Sequence, residues 1–96
     1  FAAHNAGVII VDAGAKVALI ERNSSLLHAG VVEVQGDFAE GDTVEISDLA
    51  GQIFARGMVS VDAVQASAAA GCQSADLPEG VPHEIIHRDD LVVLSD

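Results

Sequence analysis

The sequence predicts a mainly β fold with two short helices, an α+β arrangement in which mixed strands form a small barrel-like body. Three observations carry that expectation. β-Branched runs recur at short spacing, at Val8–Val11, Val31–Val34, Thr43–Ser47, Gln52–Val61, His83–His87 and Leu91–Leu94. Turn residues separate most of them, chiefly Gly, Asp and Asn. Two alanine-containing segments each follow an aspartate, Asp12 and Asp62, placed where a helix N-cap belongs.

Taken in order, Val8–Val11 is a buried strand. Asp12 then caps a helix whose apolar positions Ala15, Ala18 and Leu19 share one face. Arg22 stands in its last turn, where a cation complements the helix dipole, and Asn23 is the left-handed terminator. Ser24–Gly30 is a turn carrying two buried leucines, with Ser24 and Ser25 bonding the turn they occupy. After Val31–Val34, Gly36–Asp42 has the chemistry of a solvated hairpin loop, and Thr43–Ser47 turns Val44 and Ile46 inward.

Asp48–Gly51 is a tight hairpin turn, with Gly51 free to take positive φ. The long strand Gln52–Val61 bends or bulges at Gly57. Asp62 caps a helix over Ala63–Ala70, which Gly71 ends. Cys72–Pro82 holds both prolines and is an irregular loop, and two short strands around Arg88-Asp89-Asp90 close the chain.

Composition narrows the classes of function. Residues 1–96 make one domain, with a core of Val, Ile, Leu and Ala because only three residues are aromatic. No apolar run is long enough to span a membrane. Phe1–Asn5 lacks the charged and apolar regions of a signal peptide, and the lone Cys72, read as an unreactive thiol, fits a reducing cytoplasm. Fifteen acids against four bases leave a net charge of −11, which repels polyanions.

The loudest motif is misleading. His83-Glu84-Ile85-Ile86-His87 spells the H-E-x-x-H of zinc proteases, which requires a helix. Pro82 before it and the isoleucines within it favour a strand. There the two imidazoles would stand roughly 13 Å apart, too far to share a metal. Asp37, Glu40 and Asp42 lack the alternating spacing of a calcium loop. Gly14 at the strand–helix junction belongs to neither phosphate-binding glycine pattern, and it serves close helix–sheet packing. No catalytic, cofactor-binding or metal-binding residue is expected in this stretch, and the fragment is not expected to be an enzyme.

A resemblance extends this reading over about residues 6–96. Asp12-Ala13-Gly14-Ala15, Ser25-Leu26-Leu27, Gly36-Asp37-Phe38, Gly41-Asp42 and Ala55-Arg56-Gly57 resemble the pattern shared by PUA domains. The tail His87-Arg88-Asp89-Asp90-Leu91 resembles the close of the PUA domain of bacterial glutamate 5-kinases. Asp12, Gly14, Ala15, Ser25, Leu26, Leu27, Gly36, Asp37, Gly41, Asp42, Gly57, His87, Arg88 and Asp89 are thus structural motif positions by resemblance. The chain departs from the pattern at Asn23, where Gly is frequent, at Val61-Asp62, and through the Cys72–Pro82 loop.

The resemblance implies a PUA-like pseudo-barrel serving as the C-terminal accessory domain of a glutamate 5-kinase. The parent would use ATP and Mg²⁺ to phosphorylate the side-chain carboxylate of L-glutamate in proline biosynthesis. Those cofactors and the catalytic amino-acid-kinase domain lie outside this chain, and none is expected to bind the fragment. Partners would be that kinase domain and other subunits of a homo-oligomer. The alternative is RNA binding, with Lys16, Arg22 and Arg88 as the contact surface. Net charge disfavours it, and Lys16 and Arg22 stand about 240° apart around a helix. Phe38 and Phe54 are expected to pack inside rather than stack on bases.

Overall fold

A computed structural model describes residues 6–94. The readings made on Phe1–Asn5 and on the final two residues lie outside them. Strand β1 spans Gly7–Val11 and leads into helix α1, Ala13–Glu21, where Asp12 accepts the Ala15 amide at 2.8 Å. Strand β2 (Leu26–Leu27) is followed by a 3-10 turn at His28–Gly30 and strand β3 (Val31–Gly36). Strands β4 (Thr43–Ser47) and β5 (Ile53–Met58) precede helix α2, Ala63–Ala69. Strands β6 (Glu84–Ile86) and β7 (Leu91–Val93) flank a 3-10 turn at Arg88–Asp90.

The strands form a five-stranded sheet in the order β3-β1-β4-β5-β7 and a two-stranded sheet of β2 and β6. Among the described residues only the β1–β4 pairing is parallel. Ile9, Val11, Val44, Ile46 and Ala55 from the large sheet share one core with Leu26, Ile85 and Ile86 from the small one. Leu19, Val31, Phe38, Phe54, Val59, Val61, Ala63 and Ala66 join it, so the interior is mainly the aliphatic one expected from composition.

The largest correction concerns Gly36–Asp42. It is not a hairpin, because β3 and β4 do not pair: β1 lies between them, antiparallel to one and parallel to the other. The segment is a crossover. Its Phe38 is buried, and the Phe38 carbonyl accepts the Ala63 amide at the start of α2. Gly36 and Gly41 do take positive φ, so the turn chemistry is real while the pairing inferred from it is not.

Glycines supply two further corrections. Gly57 makes no bulge, since it pairs in register with Val44 on one side and Leu91 on the other. A Cβ there would meet Ile86 Cγ2 at 2.7 Å and the Asp90 carbonyl oxygen at 2.8 Å. The irregularity lies further along the same ladder, where Ile46 and Ser47 face Ala55 and Ile53 and leave Phe54 as the extra residue of β5. Gly14 is exposed, and a Cβ on it would meet only Asp12 Oδ1 at 3.5 Å. The close packing expected of it falls to Gly30, whose Cβ would come within 2.5 Å of the Ala15 Cβ.

Smaller differences are of extent. The strand expected over Gln52–Val61 ends at Met58, although Val59 and Val61 are buried beyond it. Leu26 is buried but Leu27 is not, and the pair is a strand rather than a turn. Arg22 caps α1 just past its last turn. Helix α2 carries a full capping box, with Asp62 and Gln65 each accepting the other's backbone amide, and Gly71 follows at φ +80°.

Candidate functional site

The end of α1 sets the geometry. The amides of Arg22 and Ser24 both reach the Ala18 carbonyl, and Asn23 between them has φ +52°. This left-handed termination throws the chain sharply sideways, and Asn bears that conformation at lower cost than most residues. Ser24 and Ser25 then lead into β2, which pairs with β6 so that Leu26 faces Ile86 and Leu27 faces Glu84. Residues 22–27 thereby come to lie beside residues 84–88.

One hydrogen bond pins the two segments together. The Ser25 hydroxyl accepts the Arg88 amide at 2.9 Å. Ser25 therefore serves a distant element and not its own turn. No residue-by-residue signal marks such a long-range partner.

Two contiguous clefts result. The first, about 330 Å³, lies between α1 and the β2 region and is mostly apolar, with Ala15, Ala18, Leu19 and Leu26 in its walls and Asp12 and Gly14 at its rim. The second, about 440 Å³, is polar. Arg22, Asn23, Ser24 and Ser25 form one side of it, and Leu27, Glu84, His87 and Arg88 the other. Ser24, Ser25 and Leu27 belong to both clefts.

The three cationic candidates are thus split. Arg22 and Arg88 line the polar cleft, and neither forms an ion pair among the described residues. Lys16 is elsewhere: its Nζ donates to Asp48 Oδ2 at 2.8 Å and stands 5.3 Å from the centroid of the Phe54 ring. The Lys16 hydrogen bond is the chief reason the Asp48 carboxyl is held below its ordinary range, with backbone amides assisting.

The H-E-x-x-H segment is extended, as its β-branched residues require. His83 and Ser74 bond at 2.7 Å through Nε2 and Oγ. His87 Nδ1 accepts the Asp89 amide at 3.1 Å, capping the 3-10 turn. Asp89 Oδ2 is 3.5 Å from the same nitrogen, but Nδ1 cannot both accept from the amide and donate to the carboxylate. The shorter backbone contact governs, which leaves the proton of the neutral ring on Nε2.

Sequence reasoning did not anticipate Glu84, Asn23 or Ser24 as neighbours of the two arginines. Their one visible signal was position, since Arg22 and Arg88 each lie a few residues outside the apolar pairs Leu26-Leu27 and Ile85-Ile86. The other motif positions serve elsewhere. Gly36, Asp37, Gly41 and Asp42 lie in the crossover, where Asp42 accepts the Ala39 amide at 2.9 Å, and Gly57 lies under β6. Among the described residues no helix is long and apolar enough to cross a membrane.

A family model described as PUA domain matches residues 7–81, and the chain belongs to that family. Its relatives include glutamate 5-kinases; that of Frankia casuarinae is 44% identical over 92 residues, covering 92% of this chain. The chain spans only 25% of that relative's length. Among solved structures, a PUA domain from Aeropyrum pernix K1, crystallised as a tartrate complex, aligns with TM-score 0.63 at 25% identity, covering 85% of this chain and 41% of that one. The archaeal box H/ACA sRNP Nop10–Cbf5 complex aligns with TM-score 0.60 at 20% identity, over 86% of this chain and 25% of that one, a likeness of fold.

Proposed function

We propose that this PUA domain is one accessory and regulatory module, carried by a cytoplasmic glutamate 5-kinase and docked on its kinase domain or on a neighbouring subunit. One observation carries the reading: 44% identity across nearly the whole chain to an enzyme of which the chain matches a quarter. The remaining three quarters of such a protein would hold the chemistry. There the γ-phosphoryl group of ATP would pass to the side-chain carboxylate of L-glutamate, the step that commits it to proline synthesis.

ATP and Mg²⁺ belong to that other part. The donor set of the polar cleft, two guanidiniums and one carboxylate, does not fit a magnesium ion, which favours several oxygen ligands in octahedral array. Among the described residues no three His, Cys, Asp or Glu side chains are grouped to hold a metal. No step of phosphoryl transfer is assigned to this chain.

Deleting the module from the full-length enzyme tests the proposal. ATP-dependent phosphorylation of L-glutamate should survive, while its response to effectors or its state of assembly changes. An intact remainder without kinase activity would overturn the reading.

RNA binding is the second reading, and Arg22 and Arg88, without ion pairs among the described residues, favour it. Electrostatics opposes it. Affinity for nucleic acid comes largely from neutralised phosphates, and this chain has four basic side chains, one of them spent on Asp48. Both phenylalanines in the described body, Phe38 and Phe54, are buried and offer no stacking surface. Anisotropy with pooled tRNA over a salt series separates the two: submicromolar binding that weakens steeply with salt would favour RNA.

A further inference from the structure

We propose that the polar cleft between the end of α1 and the Arg88–Asp90 turn binds an acidic α-amino acid. The chain has fifteen acids and four bases, so each base could find an internal acidic partner. Lys16 does so. Arg22, Arg56 and Arg88 form no ion pair among the described residues, and of these Arg22 and Arg88, distant in sequence, line one cleft. An anion seated in that cleft would have both guanidiniums in its lining.

The third charged group in the cleft is Glu84, opposite Leu27 on the β6 side, and it too has no ion-pair partner there. The fixed pattern is two positive charges and one negative. Its complement is two carboxylates and one ammonium on a single small molecule. Guanidinium groups suit carboxylates through paired N–H donors, and a lone carboxylate suits an ammonium.

The uncharged lining agrees. With its Nδ1 occupied by the Asp89 amide, His87 presents Nε2–H as a donor, and the Ser24 hydroxyl has no hydrogen-bond partner of its own among the described residues. The frame is pre-set by the Ser25–Arg88 bond and by the left-handed turn at Asn23. A cleft of about 440 Å³ lies within the range usual for small-molecule sites.

Competing ligands each leave a charge opposed or unused. Inorganic phosphate would face Glu84. A nucleic-acid strand would lay further negative charge along an already acidic surface. A neutral molecule would leave both arginines without counter-ions. Because exposed ion pairs are individually weak, binding should fall roughly in the millimolar range. The binding rests on the cleft alone; its use as an effector site rests on the accessory role proposed above.

Titration of the chain with L-glutamate, succinate, L-alanine and inorganic phosphate at constant ionic strength, followed by NMR shifts of the cleft residues, tests this. L-Glutamate should saturate the cleft about tenfold more tightly than succinate or L-alanine. Arg22→Gln and Arg88→Gln should each weaken it about tenfold, and Glu84→Gln should bring it to the level of succinate. Unchanged circular dichroism would show the variants folded. No saturable binding, equal affinity for succinate and L-glutamate in the unaltered chain, equal competition by phosphate, or indifference to the arginine substitutions would each overturn the proposal. So would an RNA oligonucleotide that binds the cleft more tightly than L-glutamate and is lost with the same arginines. None of these results depends on a host enzyme, so failure here is distinct from failure of the accessory role.

Discussion

Lys16 Nζ and Asp48 Oδ2 meet at 2.8 Å, tying the middle of α1 to the turn between β4 and β5. The same ammonium stands 5.3 Å from the Phe54 ring centroid, within the range of a cation–π contact. Asp48 Oδ1 meanwhile accepts the Ala50 and Gln52 amides, at 3.0 and 2.9 Å. A single carboxylate therefore shapes its own turn and anchors it to a helix.

This pair sets a pH dependence. The Lys16 hydrogen bond, first among the causes, holds the folded Asp48 carboxyl below its ordinary range. The stabilisation is present above the unfolded value of about 3.9 and is lost as pH falls through the lower folded value. Carboxyl NMR titration should show Asp48 depressed, and Lys16→Met should move it upward. An unmoved titration would show that the ammonium is not the cause.

The Ser25–Arg88 bond predicts a modest cost. Ser25→Ala should lower stability by about 0.5 kcal/mol, the low end for a hydrogen bond, because water can reach the freed amide. Ser25→Thr, which keeps the hydroxyl, should lose less. Urea midpoints measured on both variants decide the point.

Gly57 and Gly14 should respond oppositely to alanine. Gly57→Ala forces a methyl onto Ile86 and the Asp90 carbonyl and should cost about 1–3 kcal/mol. Gly14→Ala adds a methyl in ordinary contact with Asp12 Oδ1 near the start of α1 and should stabilise by about 0.4–1 kcal/mol. Thermal melts should bracket the unaltered chain from both sides.

His28 holds the long loop before β6. It is 1% exposed, with Nε2 donating to the Pro82 carbonyl at 2.9 Å while Nδ1 is buried without a partner among the described residues. His28→Ala should destabilise by about 2–3 kcal/mol, from lost packing and an unpaired carbonyl. Limited proteolysis should then cut first within residues 73–81.

Local chemistry was legible in the sequence. Asp12 and Asp62 cap the helices they precede, Asn23 adopts the left-handed turn, and Asp48–Gly51 closes a tight hairpin. Each depends on neighbours within a few residues. Partnership across the chain was not legible. The β-branched run Val8–Val11 marks a buried strand without naming β3 and β4 as its flanks, and the turn residues of Gly36–Asp42 suggest a hairpin where the chain makes a crossover. The same limit hid the polar cleft. Arg22 and Arg88 were visible as isolated cations, but only the pairing of β2 with β6 brings Glu84 and His87 beside them.

The central place of β1 also governs how the molecule bears load. Tension entering at Gly7 and directed along β1 meets two ladders at once, so their amide links must shear together rather than open in succession. The rim strand β7, three residues long and bonded on one side only, would instead peel away link by link. A tether pulling from the leading side would find this body mechanically stiff, whereas one pulling from the trailing side would find it yielding.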